Sequence, residues 1–169
     1  MSKDSKKLDA LFHDTLKDIY YAEKKILVAL PKMAKATHSD ELRAAFEKHE
    51  GQTQRHVARL EEVFAMIEAK PTGKKCAAIE GIIEEGQEIM KDYKGSPALD
   101  AGLLAAAQSV EHYEISRYGT LRTWAEELGF DDAAELLKET LDEEKDTDET
   151  LTELAETLVN QEAQEQAAA

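Results

Sequence analysis

The sequence predicts an all-α protein: a bundle of four long helices, with a short extra helix in the crossover between the second and third long helices. Three observations carry this. Apolar residues recur at helical spacing almost throughout, and no stretch alternates apolar with polar residues as a half-buried strand does. Proline and glycine, which punctuate helices, number only three and eight in 169 residues. The few breaks they make divide the chain into four long periodic segments and one short one.

The first helix is expected from about Lys6 to Ala36, with Leu8, Leu11, Phe12, Ile19, Ala22, Ile26, Leu27, Leu30 and Met33 on its apolar stripe. Pro31 marks a kink or local break in it. "THSD" follows, where Ser39 or Asp40 suits the N-cap of the second helix, about Glu41 to Ala69. The stripe of that helix is Leu42, Phe46, His49, Thr53, His56, Leu60, Val63 and Phe64, and "KPTGKK" ends it. The short helix, about Cys76 to Tyr93, carries Ile79, Ile82, Ile83, Ile89 and Met90. "KGSP" stops it, and Ser96 with Pro97 reads as the cap and first-turn pair of the third long helix, about Ala98 to Leu128. In "LGFDD", Gly129 suits a C-terminal cap and Asp131 the next N-cap. The fourth long helix is expected from about Ala133 to Asn160, with Leu136, Leu137, Leu141, Leu151, Leu154 and Leu158 facing in.

Short connections make neighbouring helices antiparallel. A crossover that holds its own helix lets the second and third long helices run parallel, which is the topology of a ferritin-like four-helix bundle. An up-down bundle without the crossover is the alternative. One domain is expected over 1–169, with the bundle at about 6–160 and a frayed tail at 161–169.

The net charge of −15 and a pI near 4.7 argue against nucleic acid and anionic membrane as partners, because both require basic patches. The same acidity is compatible with cations, although solubility alone accounts for it. A lone cysteine, Cys76, cannot form an internal disulfide. Lys74 and Lys75 stand beside it, yet no neighbouring histidine serves as a base, so a buried, inert thiol is the plainer reading. "MSKDSKKLDA" has no apolar core of a signal peptide, and no run is long enough to span a membrane. A cytoplasmic protein is expected.

Each long stripe is interrupted by polar residues near its midpoint. They are Glu23 on the first helix; His49, Gln52 and His56 on the second; Glu111 and Glu114 on the third; and Glu144, Thr147 and Asp148 on the fourth. Residues three or four apart share a helix face, so these groups meet at one height in the bundle. Several carboxylates in an apolar interior repel one another and lose hydration, at several kcal/mol for each unpaired ion. No lysine or arginine stands on these stripes at that height. The remaining solutions are protonation or a multivalent cation, and carboxylate with imidazole suits iron or manganese. Bundles that hold two irons use one Glu from each of two helices and Glu-x-x-His from the other two. Here the second helix reads His49-x-x-Gln52-x-x-x-His56, the third Glu111-x-x-Glu114 and the fourth Glu144-x-x-Thr147. His49, His56, Gln52 and Asp148 are weaker candidates than the four glutamates. The competing reading is a protonated, hydrogen-bonded core cluster. His112, Tyr20 and Tyr118 are candidates for holding the ligands in place, with packing as the plain role of the tyrosines. His13 and His38 lack partners in this pattern and read as surface residues.

Four blocks carry a family resemblance: "DIYYAEKKIL" (Asp18 to Leu27), "KCAAIEGIIEEGQE" (Lys75 to Glu88), "LLAAAQSVEHYEISRYGTL" (Leu103 to Leu121) and "LLKETLDEEKDTDETLTELA" (Leu136 to Ala155). The chain resembles the YciF-like family of bacterial stress-associated proteins over about residues 6–160. The resemblance implies a rubrerythrin-like bundle, a site for two metal ions and a homodimer. It places Glu23, Glu111, Glu114 and Glu144 at the family's ligand positions. Many members carry His-x-x-Glu-Thr on the second helix; here a neutral amide, Gln52, stands for that carboxylate.

Three functions follow as expectations. The first is oxidation of Fe(II) by oxygen or peroxide at a two-iron centre, as in a ferroxidase, with Glu23 and Glu144 as terminal ligands and Glu111 and Glu114 bridging or completing the pair. The second is metal binding without turnover. The third is a structural dimeric stress protein with a vestigial site.

Overall fold

The computed structural model describes residues 7–164. Five helices hold the chain: α1 (Leu8–Ala36), α2 (Asp40–Met66), α3 (Ala77–Asp92), α4 (Leu99–Glu127) and α5 (Asp131–Leu154). Beyond α5 the chain continues as a π-helical turn, Ala155–Val159, and a last helical turn, Asn160–Glu162. No strand occurs among the described residues. The expected frayed tail falls mostly at 165–169, outside the described residues.

The topology is the single-crossover one. Residues 37–39 turn α1 back along α2, and residues 128–130 turn α4 back along α5. The buried Asp100, at the start of α4, accepts backbone N–H bonds from His38 (2.9 Å) and Ser39 (2.7 Å). The first turns of α2 and α4 are therefore side by side, so these two helices run parallel. That requires α3 to carry the chain the length of the bundle. α3 packs tightly against α4: a Cβ on Gly102 would stand 2.6 Å from Ile89 Cγ2, so only glycine fits there.

Most boundaries match the periodicity, and the exceptions have local causes. Ser39 caps α2, its Oγ accepting from Leu42 N–H at 3.2 Å. Ser96 does not cap α4. It closes a turn, its carbonyl accepting from Leu99 N–H (3.1 Å) and its Oγ from Ala98 N–H (3.2 Å), and the helix begins at Leu99. Asp131 is the first residue of α5 and not its cap, because Phe130 is drawn in to pack on Phe12, ring centroids 6.0 Å apart. Asp131 and Asp132 then lie in the first turn, where the helix dipole favours anions. Pro31 lies inside α1 without ending it. Gly129 takes φ +76°, the left-handed C-terminal cap position.

The core runs the length of the bundle. Phe12, Leu16, Phe64 and Leu121 fill one end, and Leu42, Phe46, Leu103 and Leu104 the other. The polar midpoints of the stripes lie between these two apolar blocks.

Candidate metal centre

Glu23 of α1, His49 and His56 of α2, Glu111 and Glu114 of α4 and Glu144 of α5 converge at mid-bundle, none more than 3% exposed. The helices deliver them by simple spacing. His49 and His56 are seven residues apart on α2, so they point the same way two turns from each other. Glu111 and Glu114 are one turn apart on α4.

Two overlapping groups result. His49, Glu111, Glu114 and Glu144 each offer one donor atom, all within 4.8 Å of one another; Glu23, His56 and Glu144 form a second such group. Glu144 belongs to both. His49 Nε2 lies 3.1 Å from Glu111 Oε1 and 3.7 Å from Glu144 Oε2. His56 Nδ1 lies 3.0 Å from Glu144 Oε1 and 3.4 Å from Glu23 Oε1.

These atoms are close together but not aligned for hydrogen bonds. Among the described residues, the buried side-chain atoms without a hydrogen-bond partner include Glu23 Oε2, His49 Nε2, His56 Nδ1, Glu111 Oε2 and both oxygens of Glu114 and Glu144. Buried polar groups are ordinarily satisfied. Eight orphaned donors from four helices, aimed at a common volume, fit a cation better than they fit one another.

The electrostatics agree. Burial pushes Glu111 up to about 8, with the Glu23 charge adding to the rise and Glu144 and His56 opposing it. Burial also raises Glu144 to about 8 against the pull of His56. Glu114 rises well above the usual carboxylate range, through burial first and then the charges of Glu144, Glu23 and Glu111. Burial would lower His56, yet Glu144 and Glu23 outweigh it and push the imidazole up to about 11. Without a cation, then, the cluster holds protons that a cation would displace.

The chain as a whole matches a known family. A family model described as a domain of unknown function (DUF892) matches residues 7–164. Protein YciF of Escherichia coli K12 is 45% identical over 163 residues, 96% of this chain and 98% of that one. The chain belongs to the YciF (DUF892) family. The crystal structure of the E. coli stress protein YciF superposes with a TM-score of 0.87 at 46% identity, covering 92% of this chain and 98% of that one. YcfI of Rhodopseudomonas palustris superposes with a TM-score of 0.83 at 43% identity, covering 90% and 97%.

Several positions singled out in this YciF-family sequence stand elsewhere than expected. Asp148 does not turn inward. It lies on the flank of α5 that faces α4, 3.3 Å from Gln108 Nε2 and 3.1 Å from His112 Nε2. His112 is exposed and reaches only Asp148, because one residue past Glu111 is a rotation of about 100° around the helix. Tyr20 points away from the cluster and donates to Glu61 at 2.9 Å. Tyr118 does reach it, donating its hydroxyl hydrogen bond to Glu23 Oε1. Gln52 is buried beside the cluster; its Oε1 lies 3.4 Å from Thr147 Oγ1, which stands at the same distance from His49 Nδ1. With Nδ1 at Thr147, His49 presents Nε2 to the carboxylates. His38 is exposed as expected, with its backbone N–H donating to Asp100, whereas the His13 ring is only half-exposed and stands edge-on against Phe64 at 6.1 Å. Cys76 is buried, caps α3 through Ile79 N–H (3.4 Å) and touches Tyr113 Oη at 2.9 Å.

Periodicity alone misses one residue. Glu143, on the charged side of Glu144 by spacing, lies 2.8 Å from His56 Nε2 and accepts from Arg59 Nη1 at 2.8 Å. Partial burial would raise its carboxyl, but Arg59 and His56 hold it down at about 2. The available signal is Arg59 itself, three residues after His56 and hence on the same side of α2. No helix among the described residues is long and apolar enough to cross a membrane.

Proposed function

We propose that this chain holds two metal ions, iron in the first instance and manganese as the alternative, and oxidises Fe(II) with oxygen or peroxide. The observation that carries the reading is the set of eight orphaned, buried donor atoms on six residues of four helices. One ion would sit among His49, Glu111, Glu114 and Glu144, the other among Glu23, His56 and Glu144. Glu144 would lie between them, which revises the terminal role that the pattern suggested. Bound iron would supply the redox chemistry, Fe(II) giving up an electron to the oxidant.

The rest is done by the chain itself. Tyr118 fixes Glu23, Glu143 fixes His56 with Nδ1 inward, and Thr147 meets Nδ1 of His49 and leaves its Nε2 inward. The apolar blocks above and below exclude bulk water. Glu111, Glu114 and Glu144 release protons as cations enter, and Glu143, half-buried between His56 and the surface, stays ionised beside Arg59 and holds His56 in place.

Anaerobic titration with Fe(II) tests the reading: two ions per chain are expected, and a protein that binds none overturns it. A second reading, metal binding without turnover, draws on Gln52, a neutral amide at a position where the family resemblance implies a carboxylate. Exposure of the loaded protein to oxygen, then to peroxide, separates the two. Fe(II) consumption with either oxidant supports oxidation, and none with both supports simple binding.

A further inference from the structure

An apolar cavity opens onto the His49 end of this cluster. It lies between α1, α2, α3, α4 and α5, with Ile26, Leu30, Phe46, Ile83, Ala107 and Leu151 among its walls. Exposed Lys32 and Gln87 stand at its outer end, and His49, Glu111 and Thr147 at its inner end. Between those ends its walls are aliphatic and aromatic, with Gly86 and Ala106 keeping α3 and α4 from filling it. Its volume is about 40 Å³, room for roughly three water-sized atoms.

We propose that this cavity admits and holds molecular dioxygen beside His49 and Glu111. The inference rests on the two-iron reading above and decides between the oxidants left open there. Apolar cavities of this kind stay dry and take up small apolar solutes. Dioxygen has two heavy atoms, no charge and no hydrogen-bonding demand. Peroxide has two hydroxyls that need partners, and the walls between the two ends offer none. A metal cation would lose its hydration shell in the same passage, past the Lys32 ammonium. A longer apolar ligand exceeds the volume. The opposite flank, by contrast, is polar: Glu143, Arg59 and Glu139 lie between His56 and solvent.

The test uses full-length protein and two cavity-filling variants. Gly86→Leu grows a side chain from a Cβ that would meet Ala106 at an ordinary 3.6 Å. Ala29→Phe fills the same space from α1 near the surface and serves if the first variant fails to fold. Crystals of the parent under xenon pressure should show xenon between α1, α3 and α4, and crystals of the folded variant should not. Ordered water there, or no xenon in the parent, overturns the proposal. The folded variant should bind Fe(II) as the parent does. Its oxidation by oxygen should slow roughly tenfold, and its oxidation by peroxide should be unchanged. Equal slowing with both oxidants, or none with oxygen, also overturns it. Failure of the parent to bind iron would sink the two-iron reading instead, and the xenon result would still decide whether the cavity takes a small apolar molecule.

Discussion

The two histidines of α2 define two unlike halves of one cluster. His56 is braced: its outer nitrogen meets Glu143 at 2.8 Å, Glu143 is held by Arg59 at 2.8 Å, and the neighbouring Glu23 is held by Tyr118. His49 has only Thr147 at 3.4 Å behind it and an apolar cavity beside it. The difference teaches that burial alone does not make a rigid site. A buried imidazole is fixed by what its second nitrogen meets. The braced half is set in place before anything binds. The cavity half keeps room for a small molecule to come and go.

Glu144 tests whether the halves are one centre, and it carries the largest expected effect. It lies in both donor groups, so Glu144→Ala should reduce iron from two ions per chain to fewer than one, measured after anaerobic loading. Loss of only one ion would break the picture of a shared residue. Glu143→Ala comes next. Removing a group that orients a metal-bound histidine lowers affinity by about 10–100-fold. The weakening should be confined to one of the two ions, read as a split of a two-step binding isotherm. Glu84→Ala, exposed on α3, is the control that Glu143 cannot be.

In the metal-free protein the contrast with pH runs between the cluster and its brace: Glu111, Glu144 and His56 favour the folded state at low pH, and Glu143 favours it at higher pH. Glu111 and Glu144 have folded values near 8, above the ordinary 4.5, so the folded state holds protons that the unfolded chain has released. Their contribution is present below about 4.5 and lost as pH rises through about 8. His56, raised from 6.5 to about 11, adds stability that is present below 6.5 and fades above it towards 11. Glu143, lowered to about 2, adds stability that is present above 4.5 and lost in acid. The melting temperature of metal-free protein should therefore fall by several degrees from pH 6 to pH 9, and Glu144→Gln should flatten that fall. A melting temperature that rises over the same interval would contradict the raised carboxyls.

Much of the fold and most of the cluster are legible in the amino-acid sequence. Helical stripes need only spacing, and the six converging residues announce themselves by interrupting those stripes at matched heights. What stays hidden depends on neighbours that no single helix contains. Glu143 looks solvated from α5 alone, and only the approach of α2 gives it His56 and Arg59. Asp100 looks like an exposed first-turn acid until the α1–α2 connection brings two backbone N–H groups to it. Asp131 satisfies every local rule for a cap, yet the packing of Phe130 on Phe12 moves the helix start by one residue. Local propensity is a weak prior wherever a large side chain has a core to enter.

The smallest expected effect concerns Asp148, a weaker ligand candidate by periodicity, and His112, a candidate for holding a ligand, both of which the fold places outside the donor groups. Asp148 and His112 bond to each other across the α4–α5 surface at 3.1 Å, with His112 exposed. Their side chains do not enter either donor group. An exposed pair of this kind contributes about 0–1 kcal/mol. His112→Ala should therefore leave iron binding at the parent level and shift the melting temperature by no more than about 2–4 °C. Asp148→Asn should behave alike, because Gln108 and His112 can still bond to the amide. The outcome also bears on α5: Asp148 stands four residues past Glu144, and a fall in iron content here would mean that the helix turns about 40° further inward than its packing indicates. Unchanged iron would leave Glu144 as the single residue through which α5 speaks to both halves of the cluster.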